Sequence, residues 1–258
     1  MKVCSLVPPL AWADEQEVVL GEGNFGKVVR RGGRVFKRSK REDLTYEHNL
    51  MYHLRGHVNI LRVFGLSSDR RELEVEYGGT DLYILVHGDA PLHVRDVYTQ
   101  IVDGVRHMHA SRVAHRDLKL ENIVVDAKGL VRIIDFGLAI YLQPDAPATL
   151  KGPGVGSLSY MAPEILVKNA TYNPFLADGW SLGIVLFALA TKCFPFEMSL
   201  HRCPQFQKYR NMLWVHPPSK ALRTMWADSA RLQAVTDPFV WTELDRLLQP
   251  NPKLRDLL

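Results

Sequence analysis

Long apolar runs are missing from this chain of 258 residues. The longest strongly apolar stretch, GIVLFALA at 183–190, falls well short of the ~18–20 residues a membrane-spanning helix needs, and a soluble protein is expected. Cysteine is scarce too. Cys4, Cys193 and Cys203 are odd in number, scattered, and without a nearby histidine at metal-ligand spacing. That excludes a disulfide scaffold or a zinc site and points to reduced thiols inside the cell, in cytoplasm or nucleus. Repeats and low-complexity tracts are also absent, which excludes solenoids and fibres. Acid is missing from one stretch: KVVRRGGRVFKRSKR, 27–41, carries eight Lys or Arg and no Asp or Glu, twice the net charge of +4. A nuclear signal or nucleic-acid patch would use such a run. Its alternating Val and Phe make it read instead as a solvated pair of strands.

What is present is ordinary globular composition, 47% apolar and 23% charged, with length enough to bury a sizeable core. Residues 1–17 read as a leader segment. Lys2 followed by VCSLVPPLAWA imitates a signal peptide, but Pro8 and Pro9 interrupt it and it is shorter than the usual ~15–30 residues. The character of the chain then changes near residue 78. Before it come strand-like EVVL, KVVR, RVFK, a helix-compatible LTYEHNLMYHL, and strands around ILRVFGL and ELEVEY. After it, Val94, Val97, Tyr98, Ile101, Val102, Val105 and Met108 mark one face of a helix over 94–108, and GWSLGIVLFALAT is apolar nearly all round, as a central helix would be. An α+β chain is expected, with a β-rich lobe at 18–77, a larger helical lobe at 78–258, and YGGTD as the hinge.

Three stretches carry chemistry. GEGNFGKV, 21–28, places Gly21, Gly23 and Gly26 where backbone could turn tightly and approach phosphate oxygens. Because KVVRRGGRVFK continues as a second strand and not as a helix, a flap over a nucleotide fits better than a dinucleotide fingerprint. Lys37 closes the strand RVFK, and Glu47 on the following helix could hold its stem while the ammonium meets phosphates. HRDLKLEN, 115–122, offers Asp117 to orient a hydroxyl and accept its proton, Lys119 to stabilise a transferring phosphoryl, and Asn122 as a neutral oxygen ligand for a divalent cation. A second acidic ligand, Asp135, stands in IIDFGLA after a hairpin whose turn is Asp126–Gly129.

Taken together these motifs resemble a eukaryotic-type protein kinase of the serine/threonine kind, from residue 18 to the last turn. GEGNFGKV resembles the glycine-rich loop, Lys37 the strand lysine and Glu47 its helix partner. HRDLKLEN resembles the catalytic loop, with Asp117 as base; DFG at 135–137 resembles the metal-binding turn, and APE at 162–164 the close of the activation segment. The resemblance implies a bilobal fold, a small β-rich N-lobe with one main helix and a larger helical C-lobe, with a nucleotide cleft between them. It implies ATP and Mg²⁺, Mn²⁺ being possible, with Asn122 and Asp135 as metal ligands. The nucleotide site it implies comprises Leu20, Gly21, Glu22, Gly23, Asn24, Phe25, Gly26, Val28, Val35, Lys37, Glu76, Gly78, Asp81 and Val124. Leu20, Val28, Val35 and Val124 would sandwich adenine, with Val75 behind it. Glu76 and Gly78 would offer backbone groups to the base, and Asp81 would meet the ribose. Asp178 would brace the catalytic loop, and Glu164 would pair with Arg255.

Departures shape the expectation. The strands between Val28 and Lys37 are short, the hinge is tight, and the chain ends three residues after Arg255, so a minimal kinase is expected. Gly152, Pro153 and Gly154 stand where a phosphorylated hydroxyl often meets Arg116. Thr149 could serve there, or Arg116 could be satisfied by an acid such as Asp145 or by loop carbonyls. Phosphorylation-independent activity is favoured. A non-catalytic pseudokinase and a small-molecule phosphotransferase are the rival readings, opposed by the complete catalytic set and by Lys119 with MAPE. Protein substrates are the implied partners, Asp81 and Glu121 hinting at basic residues before the phosphoacceptor, although Ala188 stands where strongly arginine-directed members of the family tend to have an acid. No disulfide or membrane partner is expected, and the oligomeric state stays open.

Overall fold

A computed structural model describes residues 16–23, 26–89, 91–200 and 202–255. The chain divides into two compact units, one made of residues up to His48 with Arg62–Tyr77, the other of Asn49–Leu61 with Gly78 onward. The first unit is an antiparallel sheet built from β1 (Val18–Glu22), β2 (Gly26–Arg31), β3 (Arg34–Ser39), β4 (Val63–Leu66) and β5 (Glu72–Glu76), followed after β3 by the start of α1 (Thr45–His53), whose residues from Asn49 on count with the second unit. The spatial order is β1-β2-β3-β5-β4. A two-residue turn at Gly32-Gly33, with Gly32 at φ +53°, closes the β2–β3 hairpin and fixes its register, Val28 opposite Lys37 and Arg31 opposite Arg34. Alternation then puts the buried Val35, Leu73 and Val75 on one face of the sheet, while Val29, buried as well, shares the other face with Phe36.

That register also decides the fate of the acid-free basic run. Glu17 receives Lys27, Arg31 and Arg38 at 3.9, 2.7 and 3.2 Å. Arg38 also meets Glu72, Arg34 meets Glu74 at 3.1 Å, and Lys40 lies 4.0 Å from Glu22. Arg30 and Arg34 stack on Tyr77 and Phe64, 3.7 and 3.3 Å from the ring centroids. The acids missing locally arrive from neighbouring strands.

The second unit begins with β6 (Thr80–Asp81), α2 (Leu82–His87) and α3 (Val94–Ala110), followed by the short strands β7 (Val113–Ala114), β8 (Ile123–Val125), β9 (Val131–Ile133), β10 (Ile140–Tyr141), β11 (Leu150–Lys151) and β12 (Thr171–Tyr172). Helices complete it: α4 (Pro174–Thr191), α5 (Pro204–Met212), α6 (Pro218–Met225), α7 (Ala230–Gln233) and α8 (Pro238–Leu247). In α3 the expected apolar face is buried from Val97 to Met108, whereas Val94, on the first turn, is only half-buried. α4 starts five residues before the helical stretch GWSLGIVLFALAT read from sequence, because Asn173 caps it by accepting the N–H groups of Phe175 and Leu176, and Pro174 pre-sets its first turn. By length and composition α4 could cross a membrane, yet nearly every residue of it is buried in the fold. Trp180 on α4 packs with Phe196 and Phe206 at 6.0 and 6.1 Å between ring centroids, the anchor of the unit's aromatic core.

Candidate active site

In the first unit the glycine-rich turn is closed by the Gly23 N–H donating to the Gly26 carbonyl at 2.9 Å. Gly26 is demanded by close approach, since a Cβ there would stand 1.9 Å from the Arg38 carbonyl oxygen. Gly21 and Gly23 have open space where a Cβ would be, so packing does not require them and they simply leave backbone bare. Asn24 and Phe25, both expected in the nucleotide site, lie outside the described residues. The β1–β2 register slips between Val19 and Gly21, and Leu20 at the slip is 48% exposed. Glu22 is exposed, Val28 half-buried and Val35 buried against Val75 of the adjacent strand.

Lys37 and Glu47 meet as expected. The ammonium lies 2.8 and 3.0 Å from the two carboxylate oxygens of Glu47. Glu47 is buried at 6% exposure, and a third of the lysine side chain reaches solvent. A compact cation positioned by a buried carboxylate suits a phosphate-bearing ligand. The Glu76 N–H already donates to the Arg62 carbonyl at 3.0 Å. Of the backbone partners expected for a base, Glu76 therefore offers no N–H.

In the second unit Gly78 has no room for a side chain, because a Cβ would stand 2.5 Å from Val124 Cγ2 and 2.8 Å from Leu61 Cδ1. Val124 is thereby wedged and buried. Asp81 caps α2, its Oδ1 accepting the Ile84 N–H at 2.9 Å. The carboxylate expected at a ribose thus has a structural task.

The stretch 115–122 forms a dense polar knot. Asp117 Oδ1 accepts the Ser157 N–H at 2.8 Å, and Oδ2 lies 2.8 Å from the Lys119 ammonium and accepts the Asn122 amide N–H at 3.1 Å. The Asn122 amide nitrogen also donates to the Asp117 carbonyl at 2.9 Å. Lys119 donates to Ser157 Oγ at 3.0 Å. Asp178, 1% exposed, carries the loop: its Oδ2 accepts the His115 N–H and its Oδ1 the Arg116 N–H, both at 2.8 Å, while His109 Nε2 stands 3.0 Å from Oδ2. The side chain of His115 reaches the Ile134 carbonyl at 3.0 Å. Arg116 sits at φ +69° and Asp135 at φ +61°, left-handed conformations that cost energy outside glycine and mark this loop and the turn after Ile134. The Ile134 N–H donates to the Asn122 carbonyl at 3.0 Å, which ties the approach to Asp135 to the asparagine.

Two residues that sequence reasoning did not assign complete the knot. Ser157 stands in the segment before MAPE, and its N–H and its Oγ engage the loop 40 and 38 residues earlier in the chain. Gly156 makes that possible. At φ +120°, with a hypothetical Cβ 2.5 Å from the Arg116 carbonyl oxygen, only glycine lets the segment come so close. The one signal in sequence was a glycine without a turn to serve. Arg116 itself donates to the Leu138 carbonyl at 3.3 Å, the loop-carbonyl alternative left open above; Asp145 and Thr149 are exposed. Glu164 and Arg255 form a two-pronged pair at 2.6 Å on each prong, with the Arg255 side chain fully buried.

Comparison with known proteins identifies the family. A model of the protein kinase domain family matches residues 15–255. CBL-interacting serine/threonine-protein kinase 1 of Arabidopsis thaliana is 32% identical over 199 residues, 69% of this chain and 44% of the relative. CBL-interacting protein kinase 1 of Oryza sativa subsp. japonica is 29% identical over 256 residues, 92% of this chain and 52% of the relative. The serine/threonine-protein kinase PRR2 of Saccharomyces cerevisiae is 31% identical over 216 residues, 75% of this chain and 31% of the relative. The chain spans about half the length, or less, of these curated relatives.

Proposed function

The chain belongs to the protein kinase domain family, and from that premise we propose that it transfers the γ-phosphoryl group of ATP to serine or threonine hydroxyls of protein substrates. The observation that carries the reading is the knot around Asp117, in which a carboxylate has an ammonium at 2.8 Å and an amide at 3.1 Å, on a loop that a buried aspartate braces. The family uses ATP with a divalent metal. We assign Lys37 and Glu47 to the nucleotide phosphates and the glycine-rich turn to their cover, with residues 18–77 as the smaller lobe and 78–258 as the larger.

Asp117 is assigned as the base. Its Oδ2 would accept the proton of the incoming hydroxyl as the oxygen attacks the γ-phosphorus, and the Lys119 ammonium would balance charge on the transferring group. Asn122 and Asp135 suit a small hard cation. The asparagine's nitrogen is spent on Asp117, which leaves its Oδ1 as the ligand atom. Among the described residues no cluster of three or more His, Cys, Asp or Glu forms a self-sufficient metal cage. One carboxylate and one carbonyl oxygen, completed by substrate phosphates, is the donor set that magnesium accepts, with manganese as an alternative. A bound ion would neutralise charge between the β- and γ-phosphates. The thiols of Cys193 and Cys203, free of disulfides, support an intracellular setting.

The test is Asp117→Asn. Transfer to a serine peptide should fall about 10²–10⁴-fold, with ATP affinity, read by titration of the purified chain, little changed. Activity kept within about tenfold would remove Asp117 from the role of base.

A further inference from the structure

Two of the acids that could read a basic residue of the substrate already have work. Asp81 caps α2, and Glu121 Oε2 accepts the Tyr160 hydroxyl at 3.3 Å. Glu197 differs. It is exposed, and among the described residues it has neither a cation nor a hydrogen-bond donor of its own. It stands at a cavity of about 250 Å³ whose other walls are Ser159, Phe194, Phe196, Gln205 and Trp226. Those walls are preformed. Phe196, 2% exposed, is clamped between the rings of Trp180 and Phe206 at 6.0 and 5.2 Å, and Phe194 packs edge-on against Tyr160 at 5.2 Å.

One wall of the cavity, Ser159, belongs to the segment that meets the candidate base. Ser159 lies two residues beyond Ser157, whose N–H and Oγ are bonded to Asp117 and Lys119. Two residues of chain span at most about 7 Å, so a peptide presenting its hydroxyl to Asp117 brings side chains a few positions away over this cavity. Aromatic faces beside an unpaired carboxylate favour one chemistry. A guanidinium can lay its plane on the rings and its charge against the acid, with its aliphatic stem in the apolar part. An aliphatic side chain would leave Glu197 without a purpose, and an acidic one would be repelled.

We propose that the Glu197 cavity is a specificity subsite that takes an arginine of the protein substrate, within about three residues of the phosphoacceptor, with Glu197 as its ion-pair partner. This rests on the kinase reading above. An exposed ion pair alone is worth a few-fold in affinity, and stacking on aromatic walls brings the expected discrimination to about tenfold.

The experiment uses the whole chain with ATP and serine peptides in which one arginine is walked through the positions on either side of the serine, against alanine and glutamate at the same positions. In wild type one position should favour arginine over alanine by about tenfold in kcat/KM. At that position Glu197→Gln should bring the arginine-to-alanine ratio near unity, and Glu197→Lys should invert the arginine-to-glutamate ratio. The inversion is a gain that an unfolded or damaged variant cannot produce. A ratio unmoved by both substitutions, or a preference for a leucine or phenylalanine there, would overturn the subsite while leaving the kinase reading intact. A wild-type chain that phosphorylates none of the peptides above the Asp117→Asn background would overturn the kinase reading, and this proposal with it.

Discussion

In the first unit one glutamate, Glu17, with a side chain 30% exposed, gathers Lys27, Arg31 and Arg38 at the surface of a sheet. In the second unit one aspartate, Asp178, 1% exposed, accepts two backbone N–H groups and faces a histidine, and Arg255, fully buried, is locked to Glu164. The same kinds of charge therefore do different things. At the surface, water and salt compete for every ion pair, and each contributes little to stability. In the interior a charge is costly to bring in, but removing its partner is costlier still, so the geometry it fixes is hard to lose. The difference follows the tasks assigned to the two units. The glycine-rich turn borders a strand exposed along its whole length, whereas the loop bearing the candidate base hangs from a buried carboxylate.

The sharpest way to break this contrast is Asp178→Ala. It leaves the N–H groups of His115 and Arg116 without an acceptor, and stability measured by urea unfolding should fall by about 3–5 kcal/mol, nearly independent of salt. A loss below about 1 kcal/mol would mean that the loop is held by something else.

An intermediate case is His57, half-buried and stacked on His107 with ring centroids 4.6 Å apart. Burial, and then the neighbouring imidazole, hold its pKa below the ordinary value, with Asp103 pulling the other way. An unfolded histidine titrates near 6.5, so as the pH drops through that value the unfolded chain takes up a proton that the folded chain refuses. The stability contribution is therefore complete above about pH 6.5 and is lost as the pH falls toward the folded value. Thermal unfolding followed from pH 7.5 to 5 should show a shallower decline in His57→Gln than in wild type. Parallel curves would rule out this site as a source of acid sensitivity.

The smallest effect is expected at Glu17. Glu17→Gln should lower the melting temperature slightly at low ionic strength and not at all in about 0.5 M salt, where exposed pairs are screened. A large, salt-resistant loss would erase the distinction between the two units.

Local order made much of this protein legible. The strands, the β2–β3 turn and the apolar face of α3 follow from period and turn chemistry between residues close in sequence. HRDLKLEN likewise holds acid, lysine and asparagine within a few residues, so one loop already contains most of the knot. The contact of Ser157 with Asp117, by contrast, spans 40 residues, and its enabling feature is a glycine whose need is a close approach and not a turn. The acid-free run from Lys27 to Arg41 likewise suggested an excess of positive charge, because its acids lie on other strands.

Sequence alone determined which side chains carry the chemistry and which segments become strand or helix, because those properties depend on residue type and on neighbours a few positions away. Tertiary structure alone decided how these acids are used: Asp81 as a helix cap, Asp178 as the loop's anchor, Glu121 bound to a tyrosine, and Glu197 without a partner among the described residues. A carboxylate's role is set by the donors within about 3 Å of it, and folding, by fixing register and burial, selects those donors from distant parts of the chain.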